Sequence, residues 1–215
     1  MGVFLYNKDV KKLINASSEI QFRNFITMLA LRTSQELHYD ILARDVGIDV
    51  RTCKKWISIL ATSGIIYLLQ PYMANISNRI IKAPKLYFLD TGLCAFLCKW
   101  PNAQMLEDCA MSGAFFETYI VSEIVKNMYA FGINPQNYLY YYRDIDQKEI
   151  ELLYVDMDDI YPIEIKKGIA PKKPTKNFGV LSKYKLNIKT GIILDCCDKI
   201  MPINENSWYV PVNLL

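Results

Sequence analysis

Three glutamates and one lysine are the residues best able to do chemistry in this sequence: Glu117, Glu151, Glu164 and Lys166. The stretches KEIELLYVD (148–156) and IYPIEIKKG (160–168) read as two strands joined by a polar turn. If residues 156–159 form a four-residue hairpin loop, Val155 lies opposite Ile160. Counting back places Glu151 opposite Glu164 and Glu149 opposite Lys166. Side chains alternate along a strand, so all four project from one sheet face. Like charges directly opposed destabilise a strand pair. Two facing glutamates therefore call for a cation or a shared proton between them. Where acids converge without His or Cys, an oxygen-loving ion such as Mg²⁺ or Mn²⁺ is the usual solution. The bland alternative is a Glu149–Lys166 salt bridge beside two solvated glutamates.

Glu117 precedes Ile120, Val121, Ile124 and Met128 on a helix-forming stretch, which places it on the apolar stripe. A carboxylate there needs a partner. A metal held by Glu117, Glu151 and Glu164 would polarise a phosphodiester and acidify a bound water. Lys166 would position that water or stabilise developing charge. These four are the candidate catalytic residues, and the three glutamates the candidate metal ligands.

Other chemistries are poorly served. His38 is the only histidine, which argues against a His-rich metal centre and against a Ser-His-Asp triad. The six cysteines contain no CxxC pair and read as small buried hydrophobes. There is no GxxxxGK[ST] loop, so no ATP site is expected. Apolar runs such as IIYLL (65–69) are far shorter than a membrane span, and the first residues lack a signal-peptide layout. A cytoplasmic location and no membrane partner are the expectations. The formal net charge is +3, unevenly spread. From 160 to 190 there are eight lysines and one acid; from 144 to 159, seven acids and one lysine. That polarity suits a basic groove beside an acidic site, or else a solvated face. Lys172 and Lys173 are the candidate groove residues.

The elements that must position these groups begin with SEIQFRNFITMLALRT (18–33), a helix whose Ser18 and Gln21 resemble a capping box. A short helix over 40–46 with Asp40 as N-cap stops at Gly47. A third over 49–63, capped by Asp49, stops at Gly64. Its apolar stripe is Val50, Cys53, Trp56, Ile57 and Leu60, and Arg51, Lys54, Lys55 and Ser58 share the opposite face. IIYLLQPY (65–72) and RIIKAPKLYFLD (79–90) then read as two strands around a wing. This is the pattern of a winged helix-turn-helix. Arg51, Lys54, Lys55, Arg79, Lys82 and Lys85 become candidate DNA or RNA contacts; the alternative is a solvated face on a protein-binding module. Residues 91–100 read as a further, mostly buried helix and 101–113 as a passage. The second half reads as helix (114–131), three strands (138–144, 148–156, 160–168), a short helix (178–186) and two strands (190–195, 207–212). The aromatic strand YLYYY is an alternative protein-contact surface.

This order, with Glu117, Glu151 and the Glu164-Ile165-Lys166 triplet, resembles the PD-(D/E)xK nuclease-like superfamily. A closer likeness is to the C-terminal region of a family of prokaryotic AAA-type ATPases, carried by KLYFLDTGL, GAFFETYIVSEI, YYYRDIDQKEIELL and YPIEIKKG. The resemblance implies an α+β or α/β fold: an N-terminal winged helix-turn-helix (1–112), then a restriction-endonuclease-like mixed sheet with flanking helices (113–215). It implies an AAA-type ATPase as partner. One departure is Glu151, where the family usually carries Asp. Two functions are therefore expected in competition. One is a nucleic-acid-binding module with a divalent-metal-dependent nuclease site. The other is a non-catalytic adaptor of an ATPase that keeps a degenerate nuclease fold.

Overall fold

The computed structural model describes residues 19–72, 83–183 and 187–215. The chain divides into two compact units, and the division is discontinuous. The first runs to Leu68 and resumes over Leu86–Ser122; the second comprises Leu69–Lys85 and Glu123–Leu215. The expected boundary at 112/113 falls at the start of a helix, Ser112–Ala130, that belongs partly to each unit.

In the first unit, α1 (Glu19–Ala30) buries Phe22, Phe25, Ile26, Leu29 and Ala30, the stripe its spacing predicts. The proposed Ser18 cap lies outside the described residues. α2 (Tyr39–Val46) starts one residue earlier than expected. Its N-cap is His38, without a side-chain bond, and Asp40 instead sits in the first turn, where the helix dipole favours an acid. Gly47 ends α2 at φ 74, a left-handed position that glycine occupies without strain. α3 (Val50–Thr62) is capped as expected: Thr52 N–H donates to Asp49 Oδ1 at 2.8 Å. Cys53, Trp56, Ile57 and Leu60 are buried, whereas Val50 is 40% exposed because it opens the helix. Trp56 meets Phe22 and Phe25 edge-on, each at 5.1 Å, which locks α3 to α1.

Strands β1 (Ile66–Pro71) and β2 (Lys85–Phe88) follow. The wing expected between them falls outside the described residues. Ser34 N–H donates to Leu86 O, and Leu86 N–H donates to Gln35 O, so the turn after α1 pairs with β2. α4 (Thr91–Leu97) is capped by Asp90 and buries Cys94 and Leu97, leaving Phe96 62% exposed. The expected passage contains a helix, α5 (Ala103–Asp108), capped by Asn102. Its short span lacks a repeating apolar stripe, so periodicity does not reveal it. α6 (Ser112–Ala130) begins in this unit and joins it through a buried hydroxyl pair, Thr33 Oγ1 to Thr118 Oγ1 at 2.8 Å.

The second unit is built on a mixed sheet. β3 (Leu139–Arg143), β4 (Glu149–Asp156) and β5 (Asp159–Ile165) form an antiparallel meander. β6 (Asn187–Ile188) and β7 (Gly191–Asp195) both lie parallel to β5. β8 (Met201–Asn204) is antiparallel to β9 (Ser207–Pro211), which lies parallel to β7. β1 contributes its end, with Gln70 and Pro71 parallel to Tyr140 and Tyr141 of β3. β6 and β8 are not visible in the sequence pattern, being only two and four residues long.

The β4–β5 hairpin keeps the expected register, with Val155 opposite Ile160. Its loop is tighter than expected. Asp156 pairs with Asp159, so only Met157 and Asp158 remain in the turn, with Met157 at φ 53. One face of this sheet carries Tyr140, Leu153, Ile160 and Ile193, covered by Phe178 and Leu181. Those two come from a 3-10 turn, Phe178–Lys183; the end of the short helix expected over 178–186 lies outside the described residues.

Candidate active site

β4 and β5 place Glu151 and Glu164 on the same sheet face. The register Leu153–Pro162 puts the residue two before Leu153 opposite the residue two after Pro162. β5 ends at Ile165, and Lys166 N–H turns to Leu194 O at 2.9 Å. The side chain of Lys166 then spans both acids. Its Nζ lies 2.7 Å from Glu164 Oε2 and also donates to Glu151 Oε1. Glu151 Oε2 accepts Ile165 N–H at 2.5 Å. Within the second unit the fold thus brings Glu151, Glu164 and Lys166 together.

Glu164 is only 3% exposed, and its Oε1 is buried with no hydrogen-bond partner among the described residues. Burial pushes its carboxyl up to about 8 from the ordinary 4.5; the Glu151 charge and hydrogen bond push the same way, and Lys166 opposes them. Burial pulls Lys166 down, but the two glutamates outweigh that and hold its ammonium above the usual value. At neutral pH the cluster holds a proton on the glutamate pair and a cationic lysine. Once that proton leaves, the orphan oxygen and the second carboxylate form a hard, anionic oxygen pair suited to one divalent cation that keeps most of its waters. Among the described residues no group of three His, Cys, Asp or Glu side chains gathers to hold a metal.

Glu117 lies on α6 within the first unit. Its neighbours Ile120 and Val121 are fully buried, and its Oε1 accepts the hydroxyl of buried Tyr87 at 2.6 Å. The need for a partner, read from its place on the stripe, is met by that tyrosine.

Two expectations are corrected. Glu149 does not face Lys166, because β5 ends before Lys166 could take a ladder position. Glu149 Oε1 is 2.6 Å from Lys85 Nζ, and its Oε2 is 3.7 Å from Arg143 Nε. Lys85 is not an exposed wing residue. It is 4% exposed, bound to Glu149 and set over the Tyr141 ring at 5.9 Å. An ammonium held this way is not presented to a phosphate backbone.

The remaining basic candidates divide by unit. Arg51, Lys54 and Lys55 are exposed on α3, with Lys54 Nζ 5.7 Å from the Tyr39 ring centre. Lys172 and Lys173 are exposed on the segment that follows Lys166. Arg79 and Lys82 lie outside the described residues.

The segment bearing Lys172 and Lys173 is anchored by residues that sequence reasoning does not single out. Fully buried Asp195, at the end of β7, accepts Ala170 N–H at 2.8 Å and Cys197 N–H at 3.0 Å. Tyr209 donates its hydroxyl to Pro171 O, and Asn177 donates its amide to Glu149 O. Ala170 and Lys173 take left-handed conformations, φ 44 and 51. An acid ending the strand TGIILD is the one sequence signal for Asp195.

The comparisons with known proteins match the chain in two consecutive parts. Residues 4–104 match a family model described as a domain of unknown function, DUF8612. Residues 112–215 match a second, also described as a domain of unknown function, DUF4143. Two uncharacterised proteins, from Mycobacterium bovis and Mycobacterium tuberculosis, are each 30% identical over 146 residues. The match covers 67% of this chain and 32% of each relative, so the chain spans about a third of their length. No solved structure matches the chain. Among the described residues no helix is long and apolar enough to cross a membrane.

Proposed function

We propose that the second unit is a nuclease-like domain that acts on nucleic acid through Glu151, Glu164 and Lys166, and that the chain works with an AAA-type ATPase. The observation that carries this reading is Glu164: a buried carboxylate with an orphan oxygen, beside a second acid and a lysine at a strand end. Burying a carboxylate oxygen without a hydrogen-bond partner is costly, and a divalent ion is the ligand that best accounts for the arrangement. Glu151 and Glu164 would hold Mg²⁺ or Mn²⁺, which when bound supplies Lewis-acid activation of the phosphodiester. Lys166, once the acids are neutralised in this way, is free to hold the attacking water or a phosphate oxygen. Exposed Lys172 and Lys173 would neutralise backbone phosphates nearby, and Arg51, Lys54 and Lys55 would do so on a winged helix. The likeness of the chain to the C-terminal region of AAA-type ATPases supports the partner.

A second reading has its own observation. Lys166 already closes the acid pair, and Glu stands at 151 where the family usually has Asp. A site closed in this way suits an adaptor that binds without cutting. A divalent-ion titration separates the two. Mn²⁺-dependent cleavage of DNA or RNA that disappears in Glu164→Ala and Lys166→Ala supports catalysis. Salt-sensitive binding without cleavage at any divalent concentration leaves the adaptor.

A further inference from the structure

The face of the second unit's sheet opposite the carboxylate pair carries a groove of its own. Tyr154 pairs with Tyr161, Ile163 with Ile192, and Leu194 with Val210, so these side chains share one face. Glu164 pairs with Ile193 and points to the other. With Leu139 and Ile124, these residues line a cavity of about 610 Å³. That lies within the range of built binding sites, and its lining is mainly apolar, as such sites usually are. Tyr154 meets Tyr161 edge-on at 5.9 Å and stacks on Tyr138 at 5.6 Å, so the rings form a preset wall.

One end of the groove is strongly acidic. The β4–β5 turn brings Asp156, Asp158 and Asp159 together, and Asp156 and Asp159 both line the cavity. Lys189 answers Asp159 at 3.3 Å, whereas Asp156 is exposed and has no ion-pair partner among the described residues. An apolar trough that ends at an exposed carboxylate complements one kind of occupant. We infer that this groove docks a peptide segment of a partner protein in which apolar side chains flank a lysine or arginine. The apolar side chains fill the trough between Ile163, Ile192, Leu194 and Val210, and the cation reaches Asp156. Met157, 93% exposed at the tip of the same turn, extends the apolar surface beyond the acids. The groove is separate from the Glu151–Glu164 cluster, so its use does not depend on that cluster cutting or binding anything.

The test uses the full chain and a random dodecapeptide display library. The enriched peptides are expected to carry Lys or Arg within a few residues of Leu, Ile or Phe. A labelled enriched peptide, followed by fluorescence anisotropy, should bind Asp156→Lys at least tenfold more weakly than the wild type and weaken in high salt. Ile192→Asp, whose fold is checked by circular dichroism, should weaken it comparably. Glu164→Ala should bind it unchanged. Enrichment of acidic peptides, no enrichment at all, or binding indifferent to both Asp156→Lys and Ile192→Asp would overturn the proposal. So would a self-associating chain whose dimer, rather than a peptide complex, disappears in Asp156→Lys.

Discussion

Glu164 is buried in the second unit, and its environment sets its charge. Its carboxyl is raised to about 8, chiefly by burial, so the folded protein holds a proton that the unfolded chain releases near 4.5. That proton stabilises the fold fully below about 4.5, and the benefit fades as pH rises through about 8. Glu164→Gln removes the linkage. Chemical denaturation at pH 6 and pH 9 should show the variant gaining on the wild type as pH rises; a pH-independent difference would refute the assignment. Lys85 and Glu149 make the opposite kind of pair, with no role in the acid cluster. Glu149→Ala removes the carboxylate that pairs with an ammonium whose side chain is only 5% exposed. By the usual cost of breaking a buried pair it should destabilise by about 3 kcal/mol. Urea denaturation of both variants measures this, and replacing both residues by apolar ones should recover much of that stability.

At the scale of elements, the hairpin is where sequence and structure agree best. Alternation and a polar turn determine which residues face one another, so the Glu151–Glu164 pairing is legible before any coordinates. The length of the loop is not, since Asp156 and Asp159 are turn-like residues that join the ladder. Strand counting brings Lys166 to the acids, but its partners follow from the end of β5 and the turn of its backbone toward Leu194. Lys85 misleads for a related reason: a lysine in a short strand reads as surface, and only the position of Glu149 reveals its burial. Phe178 depends on an element that the sequence describes only roughly. Its ring sits against Gly191, where a β-carbon would meet it at 2.5 Å and Ser207 Oγ at 3.0 Å. Phe178 is itself packed in the core, so Gly191→Ala should cost roughly 1–3 kcal/mol through overpacking. Thermal unfolding would register the change, and Phe178→Leu added to it should return part of the stability. An unchanged midpoint for Gly191→Ala would show that the ring yields freely.

At the scale of the molecule, two units with separate cores each carry exposed basic groups, on α3 in one and on the segment after Lys166 in the other. Length, the lone histidine and the absent phosphate loop narrow the chemistry in the sequence, but nothing in the composition shows how the chain divides. The division is discontinuous because β1, β2 and α6 each contribute to both units, and no local pattern encodes that. If both basic faces bind nucleic acid, Arg51→Glu with Lys55→Glu, and Lys172→Glu with Lys173→Glu, should each weaken binding. Each pair should also reduce the slope of log affinity against log salt by about 0.9 for every phosphate no longer neutralised. Fluorescence anisotropy at several salt concentrations reads both effects, and an unchanged slope for either pair would remove that face from the interface.

The proposed function depends above all on Glu151 and Glu164 together holding a divalent ion. Mn²⁺ binding followed by electron paramagnetic resonance tests this most directly. The predicted result is one ion per chain, bound more tightly as pH rises toward 8 because the proton on Glu164 must leave first, and not bound in either Glu151→Ala or Glu164→Ala. Mn²⁺ binding that is absent from the wild type, or is the same in all three proteins, would contradict it.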